Sequence, residues 1–76
     1  MSTGIGFYRK RKGLTQAAVA EALDIDGGSM SRLESGESIP TAAQVDKLVE
    51  LLEVPPGFLF SKNVLAEIAE RSRAAS

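Results

Sequence analysis

The sequence has 76 residues, of which 43% are hydrophobic, and it is therefore expected to form one small domain. It contains neither Cys nor His, which excludes disulfides, thiolate metal sites and histidine catalysis and favours a reducing compartment. Ten acidic residues outnumber nine basic ones, so net charge alone argues against binding a polyanion.

The sequence carries no recognisable targeting or membrane-spanning signal. The N-terminal stretch has no apolar run long enough for a signal peptide. Nowhere do about 18 apolar residues follow one another, as a membrane-spanning helix would need. We therefore expect a cytoplasmic protein that does not contact a membrane.

The first half of the chain carries two helical signals and no alternating apolar pattern typical of a strand. A first helix is predicted over residues 3–12, and Gly13 is expected to end it. Thr15 is a suitable N-cap for a second helix rich in alanine. We expect that helix to end at Asp24, because aspartate tolerates the left-handed conformation of a sharp turn.

Two further helices are predicted from cap residues and helical spacing. Asp26 is a suitable N-cap for a third helix, which Gly36 is expected to close. Thr41 is suited to begin a fourth, in which apolar residues recur at helical spacing as far as Leu52. The fold class is therefore all-α.

The C-terminal part begins with a pair of prolines that interrupts the helical pattern. A short turn is expected over residues 55–60. Residues 61–76 then read as a last amphipathic helix that frays into a tail of small residues.

No residues are arranged as an enzyme would need them. No carboxylate pair lies in an apolar context, and no glycine-rich phosphate loop follows a strand. Gly27 and Gly28 are not a nucleotide motif, because their surroundings are helical. We therefore expect a binding protein that uses no cofactor and no metal.

The junction between the second and third helices is the most specific feature. Only two residues separate Leu23 from Asp26, and Ala20 supplies the small side chain needed where two helices cross almost at right angles. The shared core is predicted to consist of apolar side chains from both helices and the junction: Val19, Leu23, Ile25, Met30 and Leu33. Such a pair is typical of proteins in which one helix braces the next and presents it to a DNA groove.

Residues 5–60 resemble the Cro and lambda-type repressors, also called Xre-type helix-turn-helix regulators. The resemblance is carried by RKRKGLTQAAVAEAL, by MSRLESGESIP, and by VDKLVELLEV followed by FLF. GLTQ and SRLESG at this separation are specific together, whereas either is weak alone. The resemblance implies a compact five-helix, lambda-repressor-like DNA-binding domain over residues 1–60, with residues 61–76 as a C-terminal helical extension.

The resemblance also implies contacts with the phosphate backbone of DNA. Gln16 matches a glutamine that holds a phosphate at the start of the second helix. Ser35 and the amides around Gly36 match a second phosphate contact. Lys10 and Lys12 belong to a basic run directly before the motif, and we expect them near phosphates.

Five positions of the third helix match or adjoin those that face bases in the family. Gly27 and Gly28 carry no side chain there, so Arg32 is the main candidate for holding guanine O6 and N7. Ser29 and Ser31 are expected to add a base or phosphate contact each. The glycines either let the backbone approach DNA closely, which we favour, or indicate that base readout has been lost.

Three further positions bear on this resemblance. Arg9 and Glu34 match a pair that the family often joins in a partly buried salt bridge. Glu53 replaces the usual glycine after the fourth helix, and a strained cap is expected there.

The C-terminal tail lies beyond the resemblance. Val64, Leu65 and Ile68 form an apolar stripe, while Leu51 and Phe58 occupy places that the family leaves small or polar. Either the tail folds back on its own domain, or these five residues form a two-fold dimer contact, which we favour. A dimer would place two reading helices about 34 Å apart on a palindromic site.

Two functions from different classes remain open. The first is a sequence-specific regulator that binds a double-stranded DNA operator as a homodimer, for example a phage-type repressor, a restriction-modification controller or an antitoxin. The second is a protein-interaction module on the same fold, with a partner such as a toxin and little or no DNA binding. The salt dependence of duplex affinity distinguishes them.

Overall fold

The structure is a computed structural model that describes residues 3–75. Within that range there are six α-helices and no strand: α1 Ile5–Arg11, α2 Gln16–Leu23, α3 Gly27–Ser35, α4 Ala42–Leu52, α5 Pro56–Leu59 and α6 Lys62–Ala75. The predicted all-α fold, with five helices and a helical extension, is confirmed. None of these helices is both long and apolar enough to cross a membrane.

The predicted helix starts are confirmed by their hydrogen bonds. The side chains of Thr15 and Asp26 each accept a hydrogen bond from the amide three residues later, at 3.0 and 2.7 Å. Thr41 and Gln44 form a reciprocal capping box, with distances of 2.9 and 3.1 Å. Each cap satisfies amides that the first helical turn leaves without a helical partner.

The helix ends use left-handed backbone, as the sequence predicts. Asp24 ends α2 at φ 58° and Gly36 ends α3 at φ 88°. Gly13 follows α1 at φ 73°. Glu53 ends α4 at φ 57°, a conformation that costs a residue with a Cβ about 1 kcal/mol relative to glycine.

The start of α1 and the form of α5 differ from the prediction. The α1 helix begins at Ile5, two residues later than predicted, and the amide of Thr3 donates to the carbonyl of Glu34 at 2.9 Å. The expected turn after the fourth helix contains the single helical turn of α5. Pro56 begins it, since proline has no amide to satisfy and its fixed φ suits the first helical position.

All six helices contribute side chains to one hydrophobic core. Of the five apolar residues predicted to join α2 to α3, four are buried and Ile25 is half-buried against them. The buried core consists of Ile5, Val19, Ala20, Leu23, Met30, Leu33, Val45, Leu48, Leu52, Leu59, Phe60 and Ile68. A chain this short depends on nearly complete burial of these side chains.

The α6 helix packs on α4 and α5 of its own chain. Ile68 is 6% exposed and belongs to the core, while Val64 and Leu65 are half-buried against it. The assignment of Ile68 to a dimer contact is therefore corrected, because its side chain already packs inside its own chain. An isolated helix of this length is marginal in water, and packing on the core stabilises it.

A close backbone contact joins α1 to α5. The Gly4 amide donates to the carbonyl of Leu59 at 2.8 Å. A Cβ on Gly4 would lie 2.3 Å from the carbonyl oxygen of Phe58, a distance no side chain accepts. The φ of Gly4 is an ordinary −79°, so close approach and not conformation requires glycine.

Candidate nucleic-acid interface

The α2 and α3 helices form a braced pair around a short connection. The chain reverses at Asp24, and the amide of Ile25 donates to the carbonyl of Ala20 at 3.0 Å. Ala20 is buried, as expected of a small residue at a close crossing. This pair shares the most extensive contact between helices in residues 3–75. The orientation of α3 is thus set by α2.

One side of α3 is buried and the other faces solvent. Met30 and Leu33 point into the core, and Ser29 is half-buried at the edge. The exposed residues of α3 include four of the five predicted base-facing positions: Gly27, Gly28, Ser31 and Arg32. The predicted set therefore lies on the accessible side of a braced helix.

The two glycines differ in their surroundings. A Cβ on Gly27 would meet nothing within 4 Å, so nothing in the chain requires glycine there. A Cβ on Gly28 would lie 3.6 Å from Arg32 Nη1 and 3.6 Å from Asp26 Oδ1. The Arg32 guanidinium thus lies back along α3, over the first helical turn. Its Nη2 donates to Ser29 Oγ at 3.3 Å.

An ion pair ties the end of α3 to α1. Arg9 Nε donates to Glu34 Oε2 at 2.8 Å, and its Nη2 donates to Oε1 at 3.4 Å. Arg9 Nη1 donates to the carbonyl of Leu14 at 3.0 Å. The two charged side chains are 12% and 14% exposed. Arg9 therefore holds the end of α3 and the approach to α2 in one arrangement.

Thr3 makes a second link to α3, one that sequence reasoning missed. Its hydroxyl lies 3.1 Å from the carbonyl oxygen of Glu34 and donates to it. The same oxygen atom of Thr3 accepts from the amide of Ile5 at 3.3 Å. Thr3 thus satisfies a carbonyl at the end of α3 and an amide at the start of α1. Only contacts between distant parts of the chain could reveal this role.

The predicted phosphate contacts lie at helix ends. Gln16 is the first residue of α2, at the positive end of the helix dipole. The Ser35 hydroxyl donates to the carbonyl of Arg32 at 3.1 Å and accepts from the amide of Glu37 at 3.4 Å. A phosphate at Ser35 would therefore compete with hydrogen bonds that its hydroxyl already makes at the end of α3.

The basic residues at positions 9–12 do not all face the same surface. Lys10 is exposed and lines the same surface groove as Glu34. The Lys12 ammonium pairs instead with Glu53, at the end of α4. The Arg11 guanidinium lies over the ring of Phe7, 5.8 Å from its centroid. Of the two predicted phosphate-contacting lysines, Lys10 thus lies beside the end of α3, and Lys12 is engaged elsewhere.

Carboxylates surround the beginning of α3. Glu21, Asp24 and Asp26 line one open groove at the junction with α2. Hydrogen bonds from the amide and then the side chain of Ser29 hold the pKa of Asp26 below its usual value, and the positive charge of Arg32 lowers it further. This carboxylate is therefore ionised at neutral pH. Negative charge here opposes non-specific attraction of phosphates.

The braced pair and the exposed side of α3 define a helix-turn-helix protein. A family model described as a helix-turn-helix domain matches residues 7–57, from α1 into α5. No curated protein and no solved structure gives a significant match. The chain therefore belongs to the helix-turn-helix domain family, in agreement with its resemblance to Cro and lambda-type repressors. Membership indicates a domain for DNA binding and regulation.

Proposed function

We propose that this protein is a cytoplasmic transcriptional repressor of the Cro and lambda-repressor type, which binds a palindromic double-stranded operator as a homodimer. The observation that carries the proposal is that α3, braced by α2, presents Arg32 on its solvent side. A helix of this kind fits the major groove of B-form DNA, where each base pair has a distinct edge.

Phosphate contacts position the protein on the duplex in this proposal. Gln16 and the amides of the first turn of α2 hold one phosphate, as helix N-termini do. A second anchoring region, formed by Lys10 and Ser35, lies at the C-terminal end of α3. The Arg9–Glu34 ion pair keeps these two anchoring regions in a fixed relation.

Base recognition is assigned to Arg32, with Ser29 and Ser31 beside it. An arginine donates two parallel hydrogen bonds to guanine O6 and N7, a contact that discriminates by about 1–3 kcal/mol. Gly27 and Gly28 let the backbone of α3 lie close to the bases. The open space around Gly27 supports this interpretation.

The dimer is proposed to form around Phe58, together with the half-buried Leu51, Val64 and Leu65. Phe58 is 57% exposed, so its ring is available for contact with a second copy of the chain. Two linked half-sites raise the effective concentration of the second reading helix. This gain offsets the weak phosphate attraction of an acidic chain.

No catalytic role, cofactor or metal is proposed. The absence of His and Cys from the sequence supports a binding function. The partly buried polar network around Arg9 serves to fix helices, since the Arg9 side chain donates to Glu34 in α3 and to the carbonyl of Leu14 in the loop before α2.

Selection of bound sites from a random duplex pool tests this function. We expect a palindromic consensus with a guanine in each half-site. The matched control is Arg32→Ala, which should enrich no consensus at that guanine. Failure of the wild-type protein to enrich any sequence would overturn the proposal.

A protein-interaction module, with a partner such as a toxin, is the second candidate. Two observations favour it: the carboxylates around the start of α3, and the neighbouring exposed aromatic residues Phe7 and Phe58. Phe7 is 59% exposed, and Tyr8 contacts both rings, with centroids 4.9 and 5.9 Å away. Duplex affinity that does not change between low and physiological salt would favour this candidate.

A further inference from the structure

We infer that Asp26 and Ser29 are positioning residues, which hold the Arg32 guanidinium over Gly28 so that this arginine selects guanine. The inference rests on the proposed DNA-binding function and deepens it. It concerns how Arg32 is oriented before DNA binds, whereas the proposed function concerns which residues read the bases.

Two groups at the start of α3 act on this guanidinium. Arg32 Nη2 donates to Ser29 Oγ at 3.3 Å, one helical turn earlier. Arg32 Nη1 and Asp26 Oδ1 both lie 3.6 Å from the point that a Cβ of Gly28 would occupy. The guanidinium is therefore held by a hydrogen bond within its own helix and lies in the attractive field of a nearby carboxylate.

Asp26 is itself fixed in place. Its Oδ1 accepts the amide of Ser29 at 2.7 Å, which makes it the N-cap of α3. The backbone of the first turn thus determines where this carboxylate lies. The lowered pKa of Asp26 agrees with a carboxylate held by Ser29 and facing Arg32.

Space over the helix is supplied by Gly28. A methyl group there would make an ordinary contact with Arg32 Nη1, whereas a branched side chain would extend into the volume the guanidinium occupies. The φ of Gly28 is not in the left-handed region, so its conformation does not require glycine. Accommodation of the arginine is a sufficient physical reason for the small residue.

Positioning of this kind favours contact of Arg32 with a base over contact with the phosphate backbone. A negatively charged carboxylate beside the guanidinium repels a phosphate but leaves the outer edge of the arginine available to guanine O6 and N7. An arginine already held in one orientation also loses less freedom on binding. Asp26 thereby weakens non-specific binding to phosphates and strengthens the preference of Arg32 for guanine.

The test compares Asp26→Asn and Ser29→Ala with the matched control Ser72→Ala, which alters an exposed serine of α6. Asparagine keeps an oxygen that can accept the cap hydrogen bond, so its main change is the loss of charge. For each variant the affinity is measured for the selected duplex, for the same duplex with its key guanine replaced, and for an unrelated duplex. Circular dichroism verifies that each variant remains helical.

We expect Asp26→Asn and Ser29→Ala to reduce guanine discrimination by about fivefold or more, the lower end for a bidentate contact. Affinity of Asp26→Asn for the unrelated duplex should rise, because a negative charge near phosphates is lost. A loss of folding would instead lower all three affinities together. Ser72→Ala should retain the wild-type discrimination, and Gly28→Val should lose it.

A second readout needs no DNA. Relaxation of the ¹⁵N-labelled Arg32 Nε in the free protein should show greater mobility in Asp26→Asn and Ser29→Ala than in Ser72→Ala. Unchanged mobility together with unchanged guanine discrimination would overturn the inference. Absence of duplex binding by the wild-type protein would overturn the proposed function, and guanine selection with it, whatever the relaxation data show.

Discussion

Arg9 and Glu34 lie 25 positions apart in the sequence and join α1 to the end of α3 through N–O distances of 2.8 and 3.4 Å. Both side chains are largely shielded from solvent. We expect Arg9→Ala to lower the free energy of unfolding by about 3 kcal/mol, because it leaves the Glu34 charge unpaired in a partly buried place. Urea denaturation measures this loss. A double variant in which both residues are apolar should recover much of it, and a loss below about 1 kcal/mol in Arg9→Ala would contradict the assigned role.

Arg32 is expected to determine sequence preference. Arg32→Ala should remove discrimination between the selected site and its guanine variant while retaining most affinity for unrelated DNA. Fluorescence anisotropy with the three duplexes measures both quantities. Arg32→Lys is the matched control, since it keeps the charge but not the bidentate geometry and should also lose discrimination. Equal losses of affinity on all three duplexes would refute base readout by Arg32.

Glu53 ends α4 in a left-handed conformation that glycine adopts more easily. Glu53→Gly should therefore stabilise the fold by about 1 kcal/mol, reduced by the loss of the exposed ion pair with Lys12, worth about 0.5 kcal/mol or less. Thermal denaturation checks the sign. Lys12→Ala serves as the control that removes the ion pair alone and should be nearly neutral. A destabilised Glu53→Gly variant would show that the backbone at this cap is not strained.

Phe58 and Ile68 should respond differently to substitution, although both were predicted in one interface. Phe58→Glu, at an exposed position, should yield a monomer that remains folded. Leu65→Glu tests the half-buried edge of the same proposed surface. Ile68→Ala should destabilise the fold by about 2–4 kcal/mol, because its side chain belongs to the core. Light scattering gives the mass, and an unchanged dimer in Phe58→Glu and Leu65→Glu would remove the proposed interface.

The lowered pKa of Asp26 predicts how the free energy of unfolding depends on pH. Hydrogen bonds from Ser29 and the charge of Arg32 lower its pKa in the folded state. Its contribution to stability is therefore complete above the usual aspartate pKa and is lost as the pH falls through the lowered value. The difference in unfolding free energy between wild type and Asp26→Asn should shrink over that acidic range. A difference that stays constant down to the lowest pH at which both proteins fold would contradict the shift.

Local chemistry explains why much of the fold could be predicted from the sequence. The starts of α2, α3 and α4 depend on Thr15, Asp26 and Thr41, whose side chains act within three residues of themselves. The ends at Asp24 and Gly36 depend likewise on local backbone preferences. Because these signals are short-range, each can be recognised without knowing the rest of the structure.

Other features depend on contacts that no local pattern encodes. Gly4 is required by the carbonyl of Phe58, and Thr3 acts on the carbonyl of Glu34. The burial of Ile68 depends on where α6 packs, and an apolar stripe serves equally well for a core or a dimer. The part of the candidate site that local reasoning missed is the arrangement of Arg32 over the first turn of α3, since it required the distances around Gly28.

The most direct test of the central claim is a titration of the ¹⁵N-labelled protein with its selected duplex, followed by nuclear magnetic resonance. If α3 lies in the major groove, the largest amide shifts should occur in residues 27–32 and at Gln16, and the Arg32 Nε signal should move with them. Largest shifts around Phe7 and Phe58, with residues 27–32 unchanged, would contradict DNA reading by α3.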